Sequence, residues 1–159
     1  MRNIYIVIEM ELLAKVNNFL KAENSKKIIH AFFSMFIGSM IYILFREKRL
    51  LMFKWFKFIK LDFVINFLRD SFYKYRIYIP KSVLFSLPDA LWVYSFTMFL
   101  SIYFKNKIIL SSIFVGSMII EILQLWFVTG TFDMYDVIYM FILYLIAMYF
   151  IEKIRRKKI

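Results

Sequence analysis

The sequence predicts an all-α, polytopic transmembrane helical bundle, and three observations carry that expectation. First, 62% of the 159 residues are hydrophobic and the mean hydropathy is +0.67, against roughly 45–50% apolar in soluble domains. Second, four apolar runs are long enough to cross a bilayer. Third, 22 Lys and Arg outweigh 11 acids for a net charge of +11. These basic residues lie between and beside the apolar runs, the flank pattern of membrane helices.

The length suits one domain. The chain has no cysteine, which removes disulfide scaffolds, thiol chemistry and thiolate metal sites. Three glycines and two prolines are too few for a loop-rich chain. A lone histidine, His30, leaves no basis for a histidine metal centre or a Ser-His-Asp triad, so neither a cofactor nor a metal is expected. The basic residues point to membrane lipids as partners, through their anionic headgroups. No nucleic-acid motif accompanies the charge, and nucleic acid is not an expected partner.

The spans are Ile28–Phe45, Leu87–Phe104, Ile108–Val128 and Met134–Ile151. At ~1.5 Å per residue each covers roughly 27–32 Å, matching a ~30 Å hydrocarbon core. They define a transmembrane domain over residues 28–151. Ser34 and Gly38 in the first span, and Ser112 and Gly116 in the third, form small-xxx-small patterns that let helices approach closely. Residues 1–27 read as an amphipathic segment, with Glu11 and Lys15 four apart. Acids within that apolar run, and the lack of a small-residue cleavage site, argue against a signal peptide. Residues 152–159 form a basic tail.

Leu50–Leu68 is apolar in bulk but carries Lys54, Lys57, Lys60 and Asp62. Four charges near mid-bilayer would cost on the order of 10 kcal/mol, and about fourteen apolar residues return only about 4–8 kcal/mol. The stretch is therefore expected to lie in the interface as an amphipathic helix between the first two spans, with Trp55, Phe56, Phe58 and Phe63 dipping into lipid. A fifth span is the alternative. With four spans, Lys107 and the basic tail flank the membrane on the side of the termini, which places both termini in the cytoplasm.

Polar residues near the spans are not scattered. Ser86 can cap the second span, with Asp89 completing a capping-box-like arrangement. Asp133 can cap the fourth, with Asp136 three residues on. Between them, Glu121 and Gln124 share one side of the third span. Connectivity thus brings Asp89, Glu121, Gln124, Asp133 and Asp136 to one membrane face. Arg46, ending the first span, reaches that face too and is the natural counter-ion for Glu121. Each aspartate has a simpler role as a helix cap favouring the positive end of the macrodipole. Glu121, about a third of the way into the hydrocarbon, must face the bundle interior. His30, at the far end of its span, is expected to snorkel to the headgroups. Tyr94, Tyr103, Tyr135, Tyr139, Tyr144 and Tyr149, with Trp92 and Trp126, fit interfacial belts and lipid-facing packing.

Glu121-x-x-Gln124, followed by Gly130-Thr131-Phe132-Asp133-x-x-Asp136 at the next helix start, resembles the VanZ-like family of small bacterial integral membrane proteins. The resemblance covers about residues 87–149, and Thr131 stands where the family's turn carries an arginine. The segment from Phe36 to Arg46, Leu51-Met-Phe-x-Trp55 and Leu87-Pro-Asp89-x-Leu-Trp92 resemble an uncharacterised branch of similar proteins. The resemblance implies a bacterial cytoplasmic membrane protein linked with the cell envelope and glycopeptide tolerance.

The leading expectation is an acidic pocket at one membrane face that binds a lipid-linked envelope component or a cationic headgroup. Glu121 would be its central carboxylate, Gln124 an orienting amide, Asp133 and Asp136 rim ligands, with Asp89 and Arg46 completing it. Two other classes stay open: a non-catalytic accessory subunit of an envelope complex, and an intramembrane enzyme using paired carboxylates. A transporter fits less well, since four spans lack inverted repeats.

Overall fold

The second apolar run, Leu87–Phe104, carries small polar residues (Ser95, Thr97, Ser101) that the fold buries, and it becomes the centre of the bundle. The computed structural model describes residue 11 and residues 22–48, 51–127 and 133–156, the side chains of residues 22, 51 and 124–127 excepted. Among the described residues, six α-helices of defined extent run in order: α1 (Ala22–Phe45), α2 (Leu51–Phe58), α3 (Asp62–Phe72), α4 (Lys81–Tyr103), α5 (Lys107–Phe127) and α6 (Met134–Arg156), with a 3₁₀ turn at Tyr73–Tyr78 before α4. No strand occurs among the described residues. Among them, α1, α4 and α6 are long and apolar enough to cross a membrane. The amphipathic reading of residues 1–27 falls almost wholly outside the described residues, as does the turn preceding Asp133.

Helix α4 packs along α1 on one side and α6 on the other. Contacts from Arg46 to Phe85 and from Lys27 to Ser101 make α1 and α4 antiparallel. Ala90 and Val93 pack with Met140, and Met98 with Ala147 and Ile151, so α4 and α6 run parallel. Helix α5 runs antiparallel to α6: Ser111 bonds the Tyr144 hydroxyl, and the Phe114 ring lies 5.5 Å from those of Phe141 and Tyr144. Tyr144 is thus a packing residue between helices, not part of a lipid-facing belt.

Gly38 shows why α1 and α4 approach closely. A Cβ there would meet the Pro88 carbonyl at 3.1 Å and the Trp92 ring at 3.1 Å, so a larger residue would force the backbones apart. Ser34, one turn earlier, is buried and returns its hydroxyl to the His30 carbonyl. The second small-residue pair behaves differently. A Cβ on Gly116 meets nothing within 4 Å, and Ser112 is exposed.

Helix boundaries depart from the apolar runs in a consistent way. Helix α1 begins six residues before Ile28, α4 six before Leu87, and α6 continues five beyond Ile151. Backbone hydrogen bonding carries a helix through polar turns that hydropathy does not register. One consequence is a correction: α4 starts from Pro80, so Ser86 and Asp89 lie inside the helix and cap nothing.

The Leu50–Leu68 stretch is two helices, not one. Lys60 takes a left-handed φ of 59°. Lys60 N–H donates to Lys57 O and Leu61 N–H to Phe56 O, the paired bonds that close a helix with a left-handed residue. A lysine in place of glycine costs roughly 1 kcal/mol there. Arg69 on α3 ties this hairpin to the bundle: it is 4% exposed, donates to the Ile43 carbonyl at the end of α1, and lies over the Phe53 and Tyr73 rings. Burial pulls its guanidinium below the ordinary arginine value, with Tyr73 and Asp70 opposing.

Candidate functional site

The antiparallel and parallel pairings put the end of α1 and the starts of α4 and α6 together. Arg46, just past α1, donates to the Phe85 carbonyl at 2.9 Å and lies 3.7 Å from an Asp89 carboxylate oxygen. Pro88 removes the amide donor that would reach the Leu84 carbonyl, and Arg46 bonds the next carbonyl, that of Phe85. Its guanidinium also sits 5.1 Å from the Tyr42 ring centroid and 4.6 Å from that of Phe85. Arg76, from the 3₁₀ turn, approaches Phe85 as well, at 5.8 Å.

From α6, Asp136 faces this group. It lies within electrostatic reach of Asp89, Arg46 and Asp133, and its carboxylate looks toward the Ser86 hydroxyl of α4. Asp133 does cap α6, as the sequence suggests: its Oδ1 accepts from Tyr135 N–H at 2.9 Å and its carbonyl from Asp136 N–H at 3.0 Å. Ser86 is fully buried and its hydroxyl is turned toward the Asp136 carboxylate, not back on its own helix. A hydroxyl inside a helix ordinarily folds back on a carbonyl one turn earlier, as Thr97 does to Val93. Ser86 instead faces Asp136 across the α4–α6 contact, and the Arg46 Nε donor is left buried without an acceptor.

The structure therefore gathers Arg46, Asp89, Asp133 and Asp136, and adds Ser86 and Arg76. Glu121 is 7% exposed, so it turns inward as its cost in lipid requires. The α5–α6 pairing sets its level: two turns beyond the Phe114–Phe141 contact, Glu121 comes opposite Met134, at the same end of the bundle. Arg46, however, pairs with Asp89 where the sequence suggested Glu121. Connectivity fixed which end Arg46 reaches, but the antiparallel contact of α1 is with α4, so the nearest carboxylate is on α4. The Gln124 side chain lies outside the described residues. No three His, Asp or Glu side chains among the described residues are arranged to hold a metal ion.

His30 corrects a second expectation. It does not reach for headgroups: its Nδ1 lies 2.8 Å from the Tyr94 hydroxyl, and its ring 5.1 Å from Phe150. Tyr94 is buried. Nearby, Lys27 is 2% exposed, pairs with Glu23 at 2.6 Å and points at the Ser101 carbonyl. Sequence reasoning missed the roles of Ser86 and Arg76. Ser86 faces Asp136 of α6, a pairing across helices that no spacing within the sequence could announce.

No protein-family model matches this chain, and neither the curated proteins nor the solved structures include a match.

Proposed function

We propose that the chain is a four-span, VanZ-like protein of the bacterial cytoplasmic membrane whose polar hollow binds the headgroup of a lipid or lipid-linked envelope component. In this reading α1, α4, α5 and α6 cross the bilayer, and both termini are cytoplasmic. The α2–α3 hairpin lies in the interface, where the strongly exposed Phe58, Phe63, Phe67 and Trp55 enter lipid and Lys54, Lys57 and Lys60 meet anionic headgroups. Asp89, Asp136 and Ser86 receive the cationic part of the ligand, and Asp133 forms the rim. Glu121 serves as the central carboxylate and Gln124 as the orienting amide that the sequence pattern suggests.

The single observation that supports this reading most is the gathering of Arg46, Asp89, Asp133 and Asp136 at one end of the bundle, with Arg46 Nε buried and without an acceptor. A bundle needing only internal glue would pair that donor, since an orphan costs about 1–3 kcal/mol. The test is lipid retention by the detergent-extracted full chain, read by native mass spectrometry. Asp136→Asn is expected to strip bound lipid while leaving membrane insertion and elution volume unchanged. Unaltered retention would overturn the proposal.

One observation favours a second reading, an accessory subunit. The Ser112–Gly116 face of α5 has the small residues of a helix-packing surface but nothing against Gly116. On that reading Gly116→Leu releases a stoichiometric partner seen on purification in mild detergent. A monomeric wild-type chain would count against it.

A further inference from the structure

We propose that the cavity at the root of the α2–α3 hairpin is a second lipid seat, one that takes a glycerol phosphate headgroup. Lys48 and Arg69 receive the phosphate, and Asp70 accepts from the glycerol hydroxyls. The inference rests on the interfacial placement of the hairpin proposed above and is independent of the Arg46–Asp136 cluster. The cavity measures about 350 Å³, is half open, and is lined by Glu47, Lys48, Arg69, Asp70 and Tyr73. Sites for small ligands run from roughly 300 to 1,000 Å³, so a headgroup fits and a large ligand does not.

Each wall brings an acid next to a base. Glu47 and Lys48 follow α1, and Arg69 and Asp70 are consecutive on α3. Arg69 is the fixed element. It lies 5.0 Å from the Phe53 ring and 4.9 Å from the Tyr73 ring, and one N–H donates to the Ile43 carbonyl. A guanidinium has five N–H donors, so that bond does not exhaust it. Lys48 joins the two walls by donating to Asn66 Oδ1 at 2.7 Å, one of the three bonds an ammonium can give. Glu47, Lys48, Asp70 and Tyr73 are all exposed, so the cavity can be reached from outside.

Two acids and two bases alone would suit a zwitterion. The surroundings tip the balance toward an anion. Arg76 donates to the Tyr73 hydroxyl at 2.6 Å and lies 5.5 Å from its ring, and it shares the Phe85 ring with Arg46. From Arg46 through Phe85, Arg76 and Tyr73 to Arg69, guanidiniums and rings therefore alternate without a break, each cation held over a π-face. Residues 46–82 carry ten Lys and Arg against three acids, a field that attracts net negative charge.

A bare phosphate would set its charge against Glu47 and Asp70 with nothing to offer them. A phosphodiester that carries hydroxyls answers both kinds of wall. Its oxygens accept charge-assisted bonds from guanidinium and ammonium, and its hydroxyls donate to a carboxylate.

The experiment uses the full chain carrying Asp136→Asn, so that a lipid held by the other cluster is not counted. In micelles it meets equimolar dioleoyl phosphatidylglycerol, phosphatidylethanolamine and phosphatidylmethanol, and native mass spectrometry identifies the lipid retained. Phosphatidylmethanol has the same charge as phosphatidylglycerol but no hydroxyl. The ethanolamine lipid has donors but no net charge. Phosphatidylglycerol is expected to be retained about tenfold over either rival. Lys48→Gln should erase the preference over the ethanolamine lipid, and Lys48→Arg should keep it. Asp70→Ala should erase the preference over phosphatidylmethanol. Both side chains are exposed, so these variants probe binding with the bundle intact.

Soluble glycerol phosphate separates the sources: displacement at equal concentration assigns the cavity to the free ester, and failure to displace assigns it to the lipid. Equal retention of phosphatidylglycerol and either rival overturns the assignment, as does a preference for the ethanolamine lipid. Loss of all lipid on Asp136→Asn alone overturns the second seat and leaves the earlier reading standing. Retention that ignores Asp136→Asn but disappears with Lys48→Gln overturns the earlier reading and supports this one.

Discussion

The two ends of the bundle use similar residues to opposite effect. At the Lys27 end, every buried polar side-chain atom has a partner among the described residues: Lys27 with Glu23 and the Ser101 carbonyl, His30 with Tyr94, Ser95 with the Ala31 carbonyl, Ser101 with the Met98 carbonyl. Farther out, Glu152 bridges Lys107 and Arg156. At the Arg46 end, like charges crowd together: Asp89, Asp133 and Asp136 share one guanidinium, Arg46, whose Nε is buried without an acceptor. The first end is closed by its own chemistry and holds helices together. The second concentrates carboxylates that one arginine only partly answers. The lesson is that buried polarity alone does not distinguish the two ends; its balance of donors and acceptors does.

The contrast can be broken most forcefully at Glu23. Glu23→Ala leaves the Lys27 ammonium buried beside only a carbonyl, and the expected loss is about 3 kcal/mol, measured as a fall in thermal melting temperature in detergent. Replacing both residues at once, Glu23→Gln with Lys27→Met, should recover much of it. Next comes Gly38→Ala, midway between the ends, where overpacking against the Pro88 carbonyl should cost about 1–3 kcal/mol. It is expected to lower the melting temperature and loosen both ends together. Tyr94→Phe should cost about 1–2 kcal/mol by orphaning His30 Nδ1, with no change in retained lipid. Ser86→Ala closes the series. Its hydroxyl faces only the Asp136 carboxylate, so stability should move by about 1 kcal/mol or less while lipid retention falls. If Ser86→Ala destabilised the fold as much as Tyr94→Phe, the two ends would be alike.

How much of this was legible in the sequence depends on the kind of pattern each feature leaves. Long apolar runs announced α1, α4 and α6, because burial in lipid demands continuous hydrophobicity. Glu121 was legible as inward-facing from the cost of its charge, and connectivity alone placed Asp89, Asp133 and Asp136 at one end. The His30–Tyr94 pair was not legible, since one histidine among eleven tyrosines carries no spacing that names its partner. The Arg46–Asp89 pair required knowing that α1 packs against α4. The break at Lys60 left no signal either, because neither glycine nor proline stands at 59–61 and a lysine took the left-handed position.

One side chain ties α1 to the acidic end of the bundle. Arg46 bonds the Phe85 carbonyl of α4 and lies beside the Asp89 carboxylate. Replacing it would loosen the helix contact and unbalance the acids in the same stroke, so a defect at that position could not be attributed to either alone. The cleaner levers are Arg76 and Ser86, which do not brace the α1–α4 contact.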